Sequence, residues 1–258
     1  MDLFDYMKEV NEKESAPLAS RLRPDSLDMI VGQEHILGKD KFLYRAIKAD
    51  KLSSIIFFGP PGCGKTTIAK VIANTTKSNF KQINATTAGK KEMEEAISEA
   101  KVSFSMYKKK TILFIDEIHR LARTAEEMLY LAMEDYRVDV VVGKGPGATS
   151  IPLSLPPFTV VGATTRAGLL PAPLRDRFGF TGHLDYYSAS ELAQIVTRSA
   201  GLLGLEIDAQ AAHELASRSR GTPRIANRLL RRVQDWAQVH GTPGVADLAS
   251  TQAALKVL

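Results

Sequence analysis

Residues 59–66 read GPPGCGKT, set directly after the apolar run SSIIFF (53–58) and directly before TTIAKVIANTT (66–76). This is the stretch that decides the fold. SSIIFF has the length and continuous apolarity of a strand buried on both faces, and the segment after the loop has helical periodicity. Gly59, Gly62 and Gly64 let the backbone curl so that successive N–H groups face one point. The start of the following helix adds its own partial positive charge, and together they form an anion nest. The spacing fits G-x-x-x-x-G-K-[ST], in which the lysine meets the β- and γ-phosphates and the hydroxyl meets Mg²⁺. Gly59, Pro60, Pro61, Gly62, Cys63, Gly64, Lys65, Thr66 and Thr67 are therefore predicted to hold a nucleotide, with Thr66 as a ligand for Mg²⁺. A glycine-rich turn matching by chance would lack the strand before it and the helix after it.

A second part follows in TILFIDEIH (111–119). Four apolar residues make a buried strand, and two carboxylates stand at its C-terminal end, where parallel sheets place their ligands. Asp116 suits Mg²⁺ held through water, and Glu117 suits a general base on the attacking water. Read structurally, Asp116 would be a helix cap and Glu117 an exposed acid; beside a phosphate loop the catalytic reading is stronger. The second acid favours hydrolysis over transfer to an acceptor. VVGATTR (160–166) ends a third buried strand with Thr164 and Thr165, whose hydroxyls could touch the γ-phosphate or the water. Arg175 and Arg177 in PLRDRFGF, and Arg224 in GTPRIANRLLRR, are candidate cations for charge developing on the γ-phosphate. Ordinary surface arginine is the alternative for each.

Organisation along the chain agrees with a P-loop fold. Strands and helices alternate to about residue 185, predicting an α/β parallel sheet covered by helices on both faces. From SASELAQIV onward the pattern turns helical without strands, over 189–202, 208–219 and 222–240, with starts marked by Ser188 and Ser190, Asp208 and Thr222-Pro223. The expected plan is an N-terminal arm over 1–15, an ATPase domain over 16–185 and a small all-α domain over 186–245. Residues 246–258 would open a third domain. RVDVVVGKGPGATSIPLSL reads as a hairpin over 138–155 with a Gly/Pro-rich tip. No apolar run approaches the ~20 residues needed to cross a bilayer. A single cysteine, Cys63, excludes an internal disulfide and points to a reducing cytoplasm. The net charge of +5 permits nucleic-acid binding without arguing for it.

Taken in this order, the motifs resemble those of an AAA+ ATPase: Walker A at 59–66, Walker B at 112–117, sensor 1 near 164–165, an arginine finger at 175–177 and sensor 2 at Arg224. MDLFDYM, PLASRLRP, VGQEHILG, NATTAG and ILFIDEIHR resemble the RarA/MgsA family of clamp-loader relatives. LAMEDYRVDVVVGKGPGATSIPL, FTVVGATTRAGLL, PLRDRFGF and SRGTPRIANRLLRRV closely resemble the RuvB family of Holliday-junction branch-migration motors. The change falls where the basic residue changes: residues 1–120 carry 16 lysines and 4 arginines, residues 121–258 carry 2 and 12. A fusion of two ATPases with a seam just after residue 120 is therefore expected.

The resemblance implies ATP and Mg²⁺ as cofactors, a homo-hexameric ring, DNA (a Holliday junction or fork) as partner and ATP-driven movement along it. It implies Arg177, in preference to Arg175, as a finger given by a neighbouring copy, and Arg224 as a cation acting in cis. It implies Leu22, Pro24 and Ile30 as adenine contacts, and Asn84 as a switch restraining Glu117. The exposed valines and Ile151 of hairpin 138–155 would dock a RuvA-like partner. RuvB carries a winged-helix DNA grip where this chain ends, so weak DNA coupling is expected. Two competing functions are a RarA-like nucleotide switch at replication forks and a fusion that binds ATP without coupling to DNA.

Overall fold

The run SSIIFF forms strand β1 (Ile55–Phe58), buried along three of its four residues, inside a five-stranded sheet. The computed structural model describes residues 18–142 and 149–257. They divide into two units. One is Gln33–Asp185; the other joins the described residues up to Gly32 with those from Tyr186 onward.

In the first unit, β1 is joined by β2 (Asn79–Asn84), β3 (Thr111–Asp116), β6 (Phe158–Thr164) and β7 (Phe180–His183) in the order β2-β3-β6-β1-β7. Every pairing is parallel. Helices α1 (Lys65–Thr75), α2 (Lys90–Tyr107) and α3 (Arg123–Asp135) supply the crossovers. The core gathers Ile56, Ile83, Leu113, Ile115 and Val160 from the strands with Met93, Ile97, Met128 and Leu129 from α2 and α3. Register matters most here. Asn84 lies opposite Asp116, and Phe58 lies opposite both Thr164 and His183. Since the strands run the same way, this aligns the C-terminal ends of all five along one edge, where α/β sheets bind ligands. Strand β7, FTGH, escaped the sequence reading: it is a four-residue edge strand with one buried position.

The expected hairpin is present as β4 (Arg137–Val142) paired antiparallel with β5 (Thr149–Ser154); its tip lies outside the described residues. Val138 is buried in the core rather than offered outward, because the root of the ribbon packs against α3. Ile151, farther along, is 49% exposed.

The second unit holds α4 (Ala189–Leu202), α5 (Ala209–Ser217), α6 (Pro223–His240) and α7 (Leu248–Lys256). Ser188 caps α4 in a reciprocal box with Glu191, and Asp208 caps α5 by accepting from the Ala211 amide. Helix α6 buries Ala226, Leu230, Val233 and Ala237, an i, i+4, i+7, i+11 stripe, and leaves its arginines outside.

Three expectations change. The unit is not strandless, since β8 (Glu206–Ile207) pairs with β9 (Val245–Ala246). Residues 246–258 do not open a separate domain: α7 packs on α5 and α6 and buries Thr251, Ala254 and Leu255. Residues up to Gly32 do not group with the sheet. Leu22 and Leu27 are buried, and a side chain at Gly32 (φ +70°) would strike the Glu191 carboxylate at 2.5 Å and the Tyr187 ring at 3.1 Å. The arm 1–15 lies outside the described residues. Among the described residues no helix is long and apolar enough to cross a membrane.

Candidate active site

The loop after β1 has the geometry an anion requires. Gly59, Gly62 and Gly64 adopt φ of +144°, +85° and +98°, conformations that residues with a Cβ avoid. At Gly59 the constraint is steric as well, since a Cβ would stand 2.2 Å from the Leu184 carbonyl oxygen. Lys65 begins α1 and is buried to 8% exposure; its ammonium donates to the carbonyls of Gly59 and Pro60, both at 2.8 Å. The loop therefore encloses a desolvated cation beside a helix N-terminus, which suits a polyphosphate. Thr66 and Thr67 follow, both partly buried, while Pro61 is exposed. Cys63 is fully buried, and burial pushes its thiol above the ordinary value against the pull of Lys65. It is a packing residue, not a nucleophile.

At the end of β3, Asp116 is partly buried and accepts from the Glu117 amide at 3.2 Å. Glu117 stands in the left-handed region, φ +52° and ψ +43°. A β-carbon residue there is strained, and such strain collects at functional sites. The turn lifts the Glu117 carboxylate off the strand toward β6. Its Oε2 lies 3.5 Å from the Thr165 hydroxyl, which donates, and 3.5 Å from His119 Nδ1. The structure thus separates the two threonines. Thr165 is exposed and faces Glu117, whereas Thr164 is buried, accepts from the Arg166 amide at 2.9 Å and meets His119 Nδ1 at 2.8 Å. Glu117, His119, Arg120, Thr165, Arg166 and Leu169 line an open cleft of about 480 Å³.

The other expected residues are distributed as follows. Asn84 adjoins Asp116 in register, but its Oδ1 accepts from the Thr86 amide and hydroxyl at 3.0 and 2.8 Å rather than meeting Glu117. Arg175 is exposed. Arg177 is docked on its own unit: it pairs with Glu134 at 2.7 Å, donates to the Pro173 carbonyl and lies over the Tyr130 ring at 4.5 Å. Arg224, exposed at the start of α6, belongs to the helical unit together with Leu22, Pro24 and Ile30. There the Arg23 guanidinium is held below its usual value by burial first and by the Arg224 charge second. His119 is the residue the sequence reading missed. Its signal was present as the last letter of DEIH, three positions beyond the end of β3.

Among the described residues no cluster of three or more histidine, cysteine, aspartate or glutamate side chains could hold a metal alone. A hydroxyl and one carboxylate, Thr66 and Asp116, fit a hard cation that keeps water and phosphate oxygens as its remaining ligands, which is how Mg²⁺ binds.

Comparison with known proteins agrees with this geometry. A family model described as the Holliday junction DNA helicase RuvB P-loop domain matches residues 22–184, and one described as the RuvB AAA lid domain matches residues 187–258. The Holliday junction branch migration complex subunit RuvB of Pseudarthrobacter chlorophenolicus is 52% identical over 246 residues, 95% of this chain and 66% of that protein. That of Cutibacterium acnes is 54% identical over 221 residues, 85% and 63% respectively. The Thermotoga maritima RuvB Holliday junction branch migration motor superposes with a TM-score of 0.77 at 37% identity, covering 92% of this chain and 73% of that one. The chain spans about two thirds of the length of the curated relatives it matches. The P-loop match runs unbroken through residue 120, so RuvB is shown on both sides of the expected seam, and the RarA-type resemblance is not shown. The lysine-to-arginine change has no structural explanation. With an ordered P-loop, a carboxylate pair at the end of β3 and matches spanning both units, the chain belongs to the RuvB family of AAA+ P-loop proteins.

Proposed function

We propose that this chain is the ATP-hydrolysing motor portion of a Holliday-junction branch-migration ATPase of RuvB type, acting in the cytoplasm. The observation that carries the reading is the strand-end alignment. One sheet edge presents the Lys65 loop, Asp116, Glu117 and Thr165 together, with Glu117 turned out of its strand toward Thr165.

In this reading the amides of residues 59–66 bind the phosphates, and Lys65 exchanges its two loop carbonyls for phosphate oxygens. Thr66 and Asp116 would hold Mg²⁺, which would offset phosphate charge when bound. Glu117 takes the proton of the attacking water, and Thr165 fixes the direction of that carboxylate. Arg177 leaves Glu134 to serve a neighbouring copy, so turnover depends on ring assembly, for which a hexamer is proposed. Arg224 adds a second cation; Leu22, Pro24 and Ile30 contact the adenine. Asn84 acts as a switch only after releasing Thr86. Ile151, on the hairpin, docks a RuvA-like partner, and hydrolysis drives movement along DNA.

The test is ATP turnover against protein concentration, with and without junction DNA and RuvA. Turnover per chain should rise with concentration and with both partners. A specific rate unchanged across all four conditions overturns the reading.

A further inference from the structure

His119 has no part in the chemistry above, yet it occupies a demanding position. Its side chain is only 7% exposed, against 32% for Glu117. A buried imidazole must satisfy its polar atoms. Here Nδ1 lies 2.8 Å from the Thr164 hydroxyl and also 3.5 Å from Glu117 Oε2. The carboxylate favours one tautomer, the one with its proton on Nδ1. An unprotonated Nδ1 would set a lone pair against a carboxylate oxygen, whereas an Nδ1–H is attracted to it. In the Nδ1–H tautomer the imidazole donates to Thr164 Oγ1, which also accepts from the Arg166 amide at 2.9 Å; in the other tautomer the Thr164 hydroxyl donates to Nδ1. The Thr164 backbone is fixed in turn by its strand pairing with Phe58 and by the Gly59 amide, which donates to its carbonyl at 3.3 Å.

We propose that His119 is a positioning residue for hydrolysis: it links the rigid end of β6 to the carboxylate of Glu117 and holds that carboxylate toward Thr165. The inference rests on the hydrolytic reading of Glu117. It follows from the strained turn at Glu117, since a carboxylate projected from a left-handed residue has little support along its own chain. The two contacts of the carboxylate, each 3.5 Å, come from His119 and Thr165. Removing His119 leaves Thr165 alone, and Thr165 is exposed.

The experiment compares His119→Asn, His119→Gln and His119→Ala in the full chain, with Glu117→Gln as reference. Asn places an amide donor near the Nδ1 position; Gln places it near Nε2. His119→Ala and His119→Gln should lower kcat by on the order of 10- to 100-fold, as expected when a reacting group is misplaced by about 1 Å. Affinity for a fluorescent ATP analogue should hold, and His119→Asn should recover most of kcat. Rescue by Gln equal to that by Asn, or wild-type kcat in all three, overturns the inference. So does a ¹⁵N spectrum showing His119 with an unprotonated Nδ1, which needs no activity and no variant to be read. The two readings fail separately. Turnover that persists in Glu117→Gln removes the general base itself; turnover lost there but intact in the His119 variants removes only the role of His119.

Discussion

Substitution of Gly59 by alanine tests the link between the shape of the loop and its chemistry. A Cβ at this position would stand 2.2 Å from Leu184 O and 3.1 Å from Leu184 C. Real Cβ contacts closer than 3.4 Å are uncommon, so one of the two segments must yield by about 1 Å. Leu184 is poorly placed to do so. Its amide donates to Phe58 O at 2.8 Å, and the next residue, Asp185, is held at both its amide and its carbonyl by the Gln33 side chain at 3.0 and 2.9 Å. The loop is tied less firmly on the other side, by one 3.3 Å bond from the Gly59 amide to Thr164 O. The loop therefore moves, and it carries the two carbonyls that locate the Lys65 ammonium.

Two effects of different size follow. The φ of +144° adds strain on the order of 1–3 kcal/mol to the fold, and a ~1 Å shift of the phosphate site costs on the order of 10²-fold in kcat/KM. Gly204→Ala is the control. Its φ is +66° with nothing within 4 Å of the added carbon, so it meets strain of about 1–2 kcal/mol without a clash. Urea unfolding, binding of a fluorescent ATP analogue and turnover should be measured on both variants. Gly204→Ala should lose stability and keep turnover; Gly59→Ala should lose both. Wild-type nucleotide affinity and turnover in Gly59→Ala would refute the argument that this carbonyl sets the loop.

Three further outcomes are expected. Lys65→Ala should abolish nucleotide binding, while Glu117→Gln should keep binding and lose on the order of 10²- to 10⁴-fold in turnover, as loss of a general base does; equilibrium binding and steady-state hydrolysis separate the two. Arg177→Ala should lower turnover of the assembled protein by on the order of 10³-fold, whereas Glu134→Ala, which frees Arg177 from a half-exposed partner, should change the free energy of urea unfolding by less than about 1 kcal/mol and leave turnover intact. Tyr130, whose phenol is pushed up to about 12 by burial first and by the neighbouring Glu126 second, favours the folded state while it is neutral. Its contribution is complete below pH 10 and is lost as pH rises from 10 toward about 12, so urea midpoints should fall across that interval and Tyr130→Phe should flatten the fall.

What was legible in the sequence was whatever one short stretch decides by itself. Three glycines, a lysine and a hydroxyl at fixed spacing can satisfy only a few local geometries, and the strand and helix around them are equally local, so the strand–loop–helix order of 53–76 is found as expected, with the strand starting at Ile55 and the helix ending at Thr75. The carboxylate pair was legible for the same reason. What the pair does was not: the left-handed turn at Glu117 and the burial of His119 depend on β6 lying beside β3, a contact 45 residues away. The same holds for β7, whose FTGH becomes a strand only because β1 offers it an edge.

Arg177 shows the limit most sharply. Its place in PLRDRFGF made it a free cation on paper, and free is what a finger must be. In the fold it is paired with Glu134 and laid over Tyr130, two residues of α3 that no local pattern joins to it. That docking does not disqualify Arg177: the Glu134 side chain is 53% exposed and solvent weakens the ion pair, although the Arg177 side chain, 22% exposed, must also leave the Pro173 carbonyl and the Tyr130 ring. A γ-phosphate gathering charge in a neighbouring copy would outbid it, since a charge-assisted bond to phosphate in a water-poor site is stronger than one to a solvated carboxylate. Exchange of Glu134 for phosphate would then make assembly itself the step that releases the arginine, and the Arg177→Ala and Glu134→Ala pair reads that exchange directly.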